Sequence, residues 1–173
     1  MDSEQLIIDA ANRGIGLAGS GDFIYEMTVN VLKIMGRDLA QQLRPGDRPN
    51  LLLVCDVEVD GGKGNPGAVL CLENRIVACW MKGTFRPRTE IRVVPLADVS
   101  GLTRTTRTGN RLVGDRTLLS FDSPQGATTL VLYAPKMEEA AVFTVEGILS
   151  GAITFSWGDD ERDEETAAPE PTA

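Results

Sequence analysis

The 173 residues are 42% hydrophobic and carry 25 acidic against 17 basic side chains, a net charge of −8 that opposes nonspecific nucleic-acid binding. There is no histidine, and the three cysteines are Cys55, Cys71 and Cys79; this excludes Ser-His-Asp and Cys-His catalysis and His-ligated metals, and supports neither a disulfide framework nor a C-x-x-C zinc site. No run approaches the roughly 20 apolar residues of a spanning helix, and Met1-Asp2-Ser3-Glu4 is acidic where a secretory leader is basic, so a cytoplasmic chain of one domain is expected.

The first segment, Leu6-Ile7-Ile8-Asp9-Ala10-Ala11-Asn12-Arg13-Gly14-Ile15-Gly16-Leu17-Ala18-Gly19, resembles the opening of short-chain dehydrogenases. The match fails on three counts. Ala10 stands where the family's turn needs its first glycine, no alternating βαβ series follows, and Tyr133 and Lys136 are three apart instead of four and straddle Pro135. The expectation is a flexible glycine-rich lead-in. From Asp22 to about Leu43, Ile24, Met27, Val31, Leu32, Met35 and Leu39 recur at spacings of three and four and predict an amphipathic helix. Asp22 is the expected N-cap, Gly36 a weak point, and Pro45-Gly46-Asp47 with Pro49 the stop.

Strand patterns begin at Leu51. Leu51 to Val59 runs apolar into the loop Asp60-Gly61-Gly62-Lys63-Gly64-Asn65-Pro66-Gly67. Ala68 to Leu72 and Arg75 to Met81 flank a tight Glu73-Asn74 hairpin, with Asn74 suited to positive φ. Glu90 to Pro95, Val99 to Thr106, Thr117 to Asp122 and Thr128 to Tyr133 complete the series, the last two joined by a turn at Ser123-Pro124-Gln125-Gly126. A second helix is expected from Pro135, with Glu138 and Glu139 in its first turn, Ala141, Val145, Ile148 and Leu149 on its apolar face, and Gly151 as terminator. Ile153, Phe155 and Trp157 alternate as a final strand would. The acidic residues 158–173 have almost no apolar content and predict a disordered tail. The chain therefore divides into a lead-in and helix over 1–47, a mainly β domain over 48–157, and the tail. The fold class is α+β, mainly β: an antiparallel barrel or sandwich of six to seven strands capped by a C-terminal helix, with an N-terminal helix added.

Charge is segregated along the chain. From Arg75 to Arg116, nine cations face only Glu90, Asp98 and Asp115, a net +6 that leaves −14 for the remainder. Such clustering suggests an anionic partner. Within it, Lys82-Gly83-Thr84-Phe85-Arg86-Pro87-Arg88 is the most distinctive piece. In extended chain Arg86 and Arg88 point to one side, so two guanidinium forks and one ammonium can converge on a phosphate or carboxylate, with Phe85 available to an apolar interface. The second basic piece, Thr103 to Arg111, alternates so that Arg104 and Arg107 fall on opposite faces. With aromatics at 5% of the chain, little is offered for stacking bases. The candidate partner-binding set is Lys82, Phe85, Arg86, Arg88, Arg92, Arg104 and Arg107; no catalytic, metal or cofactor-binding set is expected.

Pro66-Gly67-Ala68-Val69-Leu70-Cys71-Leu72-Glu73-Asn74-Arg75-Ile76-Val77 resembles the strand–hairpin–strand pattern of GRAM-like domains, and Pro95-Leu96-Ala97-Asp98-Val99-Ser100-Gly101-Leu102 resembles a later strand opening of the same group. The closing helix after Tyr133 fits as well. The central hundred residues thus resemble the pleckstrin-homology superfold, in its GRAM-like and bacterial branch. The resemblance implies a non-enzymatic binding module for an anionic lipid surface or an acidic protein partner, peripheral to a membrane in the first case. The lysine–basic–x–arginine pattern follows the second or third strand here, whereas lipid-binding members of the superfold carry it in the first hairpin. Two further expectations stand beside this reading. The chain could serve as an assembly subunit, a homo-oligomer built through barrel edges and the N-terminal helix. The tail's seven carboxylates could either compete for the basic hairpin or act only as a solubilising segment.

Overall fold

In a computed structural model the chain is described over residues 2–19, 21–83, 85–111, 114–133 and 136–155; Pro135, Trp157 and the acidic tail lie outside these. The helices are α1 (Ser3–Ala18), α2 (Asp22–Ala40) and α3 (Glu139–Ser150). The strands are β1 (Leu51–Val59), β2 (Asn65–Cys71), β3 (Arg75–Lys82), β4 (Arg88–Pro95), β5 (Ser100–Arg107), β6 (Arg116–Ser123) and β7 (Gly126–Leu132). The class is α+β and mainly β, with seven antiparallel strands in a curled half-barrel.

The strands form one sheet in the order β4-β3-β2-β1-β7-β6-β5, so two meanders are joined through β1 and β7. Cross-strand partners share a face. Val54, Ala68 and Cys79 are in register on the outer face, and Leu53, Val69 and Ala78 on the inner one. All six are fully buried. Strands covered on both sides read as unbroken apolar runs, which explains Leu51-Leu52-Leu53-Val54-Cys55. The curl is visible in one contact. Arg92 of β4 donates to the Ala127 carbonyl of β7 at 2.8 Å and to Thr128 Oγ1 at 3.0 Å. In a flat sheet four spacings of about 4.8 Å would separate those strands, beyond the reach of any side chain.

The lead-in expected before the first long helix is itself helical. Asp2 caps α1, accepting from the Glu4 amide at 3.3 Å, and Ile7, Ala10, Ala11, Gly14 and Ala18 form a buried face at helical spacing. The small residues serve close approach. A Cβ added to Gly14 would sit 1.9 Å from the Leu52 carbonyl oxygen, so only glycine lets α1 rest on the β1 backbone. Arg13 anchors the same junction, donating to the carbonyls of Asn50 and Pro49 at 2.6 Å each. The residues that mimic a dinucleotide turn are therefore a helix-to-sheet seat.

Other boundaries moved for local reasons. Gly21 caps α2, and Asp22 is its first residue; Gly36 does not interrupt it. α3 starts at Glu139 with Glu138 as N-cap, later than the start expected at Pro135. Asn74 keeps a negative φ in its hairpin, and Asp60 is the described non-glycine residue with a positive one, +51°. No strand forms over 151–155: Ile153 folds back onto α3, its amide donating to the Gly147 carbonyl at 2.9 Å, and it packs where a side chain on Gly147 would stand.

Candidate functional site

Strands β3 and β4 form a long hairpin whose last register pair is Lys82 opposite Arg88. Like charges placed directly across a ladder are unfavourable, and among the described residues the carboxylate between them is Glu90, 3.5 Å from Lys82 and 3.1 Å from Arg88. Beyond this pair the chain turns through Gly83, whose φ of +97° favours glycine. Phe85 is 99% exposed at the tip and Arg86 is exposed beside it. Pro87 removes a backbone donor as β4 begins. The tip thus holds an unburied aromatic ring beside three cations and one shared carboxylate.

The other three members of the predicted set lie elsewhere. Arg92 is 12% exposed on the inner face and fixes the curl, pairing with Asp60 at 3.2 Å in addition to its β7 contacts. Arg104 joins β5 to α3 through Glu139 and Glu146, the latter at 3.1 Å, and the hydrogen bond it donates to Glu139 is the chief reason its pKa is raised. Arg107 reaches β1, holding Glu58 through both guanidinium nitrogens at 2.6 and 3.1 Å; that pair raises its pKa too. The structure therefore gathers Lys82, Phe85, Arg86 and Arg88 at one tip and spreads Arg92, Arg104 and Arg107 across the barrel.

Two more arginines of the basic segment are held in the same way. Arg75 binds Asp47 through both nitrogens, and its side chain is only 5% exposed. Burial would raise the Asp47 pKa, but the hydrogen bonds from Arg75 and the Arg44 amide, with both positive charges, hold it below the usual carboxylate range. Arg116 pairs with Asp56 at 2.7 Å, and Asp56 also accepts from the Tyr133 hydroxyl at 2.5 Å. Burial and then this hydrogen bond push the Tyr133 pKa far up. Arg116 stacks over Tyr133, whose ring meets Phe23 edge-on at 5.6 Å. Aside from the Glu90 pairs, each of these bridges runs from the basic segment to an acid outside it.

Sequence reasoning missed a cleft of about 520 Å³ lined by Arg44, Asn74, Arg75, Val93, Pro95 and Gln125. These residues come from four separate parts of the chain, and no local pattern unites them. Thiol chemistry has little to work with. Cys55, Cys71 and Cys79 are free and fully buried, and burial pushes the thiols up, Cys71 and Cys79 to about 12. No group of three or more metal-ligating side chains occurs among the described residues. None of the described helices is long and apolar enough to cross a membrane.

No protein-family model matches the sequence, and comparison with curated proteins gives no match. Among solved structures, one described as autoinhibited Vav1 is similar over 75% of this chain and 23% of its own, at 14% identity and a TM-score of 0.39. This chain thus spans less than a quarter of that structure's length. The architecture rests on strand order and register. That architecture is a curled antiparallel sheet with a helix after its last strand.

Proposed function

We propose that this chain is a non-enzymatic, pleckstrin-homology-like binding module of GRAM-like type that docks on an anionic lipid surface through the β3–β4 hairpin. The observation that carries the proposal is Phe85, 99% exposed at the tip and flanked by Lys82, Arg86 and Arg88. An aromatic ring left in water gains about 1.5–3 kcal/mol when buried. A basic side chain near an anionic leaflet gains about 1 kcal/mol. Three cations offset by Glu90, together with the ring, give a partition of about 3.5–5 kcal/mol, which corresponds to a Kd from about a few millimolar to a few hundred micromolar. Such docking is reversible and steeply dependent on lipid charge. Lys82 and Arg88 repel each other across the ladder, share the single Glu90 carboxylate, and would each gain a partner beside phosphate.

The test is co-sedimentation of the full chain with neutral and anionic vesicles at about 0.1 M and 1 M salt, where the Debye length falls from about 10 to 3 Å. Binding to anionic vesicles alone, weakened by salt and abolished in Lys82→Ala/Arg86→Ala/Arg88→Ala, is the expected result. Equal binding by the triple variant would overturn the assignment to this hairpin. Absence of vesicle binding would retire the lipid surface and leave an acidic protein as the partner to seek.

A further inference from the structure

Strand β4 is the terminal strand of its half of the sheet and pairs with β3 from Arg88 to Pro95. Its other edge is reached by a side chain instead of a strand: Gln125, in the β6–β7 turn, donates its amide to the Val93 carbonyl at 2.8 Å. A side-chain amide on an edge carbonyl reproduces the bond a neighbouring strand would make. Since the Val93 carbonyl points away from β3, the alternation of an antiparallel ladder turns the backbone groups of Ile91 and Thr89 the same way. The cleft of about 520 Å³ opens beside this edge, with Val93 and Gln125 among its lining residues. Among the described residues its charged lining is Arg44 and Arg75; Arg75 is held by Asp47, and Arg44 is exposed. At the start of the same strand Arg88 is 72% exposed.

From this juxtaposition we propose that an extended acidic peptide adds to β4 as an eighth strand, displacing the Gln125 amide from Val93 and placing carboxylates against Arg44 and Arg88. Backbone hydrogen bonds to Thr89, Ile91 and Val93 would give affinity, and the two guanidinium groups would select acidic side chains. The filled edge would also remove an unpaired strand of the kind that otherwise invites aggregation. The proposal rests on the β4 edge and the cleft and shares only Arg88 with the hairpin tip, so it is decided with peptides on the unsubstituted chain and not by the vesicle experiment.

The test uses the full chain, labelled with ¹⁵N, and three blocked hexapeptides: alternating glutamate and valine, the same peptide N-methylated at alternate residues, and its lysine counterpart. The expected result is shifts and slowed hydrogen exchange at Thr89, Ile91 and Val93 with the glutamate peptide. The N-methylated peptide should bind at least tenfold more weakly, the lysine peptide should not bind, and Gln125→Ala should bind the glutamate peptide three- to tenfold more tightly. Equal affinity for the N-methylated peptide would overturn the proposal, because attraction would then be charge alone. So would shifts confined to residues 82–88, or no binding at millimolar peptide.

Discussion

Replacing Gly14 with alanine, beside the same replacement at Gly16, tests how the N-terminal helix is seated. The two lie two residues apart in α1 but face different surroundings. A Cβ at Gly14 would stand 1.9 Å from the Leu52 carbonyl oxygen and 2.9 Å from its carbon, whereas one at Gly16 meets nothing within 4 Å. To restore ordinary contact, α1 must retreat from β1 by about 1.5 Å, and a close-packed interface cannot absorb that displacement. Overpacking costs about 1–3 kcal/mol, and the upper end applies because the obstacle is backbone. Alanine's helical advantage over glycine returns about 1 kcal/mol. Gly14→Ala is therefore expected to destabilise by about 2 kcal/mol, lowering Tm by roughly 4–8 °C. Gly16→Ala should stabilise by about 0.5–1 kcal/mol. Urea titration with thermal melts on both variants decides it. Stabilisation by both alanines would refute the seating of α1 on β1 and return the segment to a flexible lead-in.

Arg92→Ala and Arg104→Ala remove similar ion pairs in different settings; the first, half-buried and bonded to β7, should cost about 2 kcal/mol, the second under about 1 kcal/mol, as urea midpoints will report. For the Arg75–Asp47 pair, Arg75→Ala strands a half-buried carboxylate and should cost about 3 kcal/mol at neutral pH. The Asp47 pKa is lowered by folding, so its contribution is present above the unfolded carboxylate range and lost as pH falls below about 4; melts from pH 6 to 3 should show the wild type losing more stability than Arg75→Ala. The thiols behave oppositely: their folded pKa values are raised, so stability is complete below about pH 8.5 and falls as pH rises above it. The same burial predicts no reaction of native protein with a thiol reagent at pH 8 and three equivalents in denaturant.

The strands were legible because β1 to β3 are apolar on both faces and their turns carry glycine, proline and asparagine; β1 and the Glu73-Asn74 turn fall where the residues place them, while β2 starts at Asn65, inside the loop expected to run to Gly67, because Asn65, Pro66 and Gly67 already pair with β1. The α1 helix was not, because its buried face is built from Ala10, Ala11, Gly14 and Ala18, whose smallness signals close packing only once a partner backbone is present. The charge segregation was legible as a fact and ambiguous as a cause. Asp47, Asp56, Glu58, Asp60, Glu139 and Glu146 meet arginines 28 to 60 residues away in sequence. Opposite charges segregated along a chain can reflect ion pairs that join distant strands as well as a surface awaiting a partner. At the β3–β4 tip the described ion pairs of Lys82 and Arg88 go to Glu90 within the basic segment itself, and it is there that we propose the second explanation.

The central claim is therefore best tested at that tip, with tryptophan placed at Phe85 and its emission compared with the unsubstituted chain in vesicles containing brominated anionic lipid. The account predicts a blue shift and quenching specific to Phe85→Trp, present with anionic lipid and absent with neutral lipid. Binding of the chain to anionic vesicles while the new indole stays in water, unquenched, would contradict it.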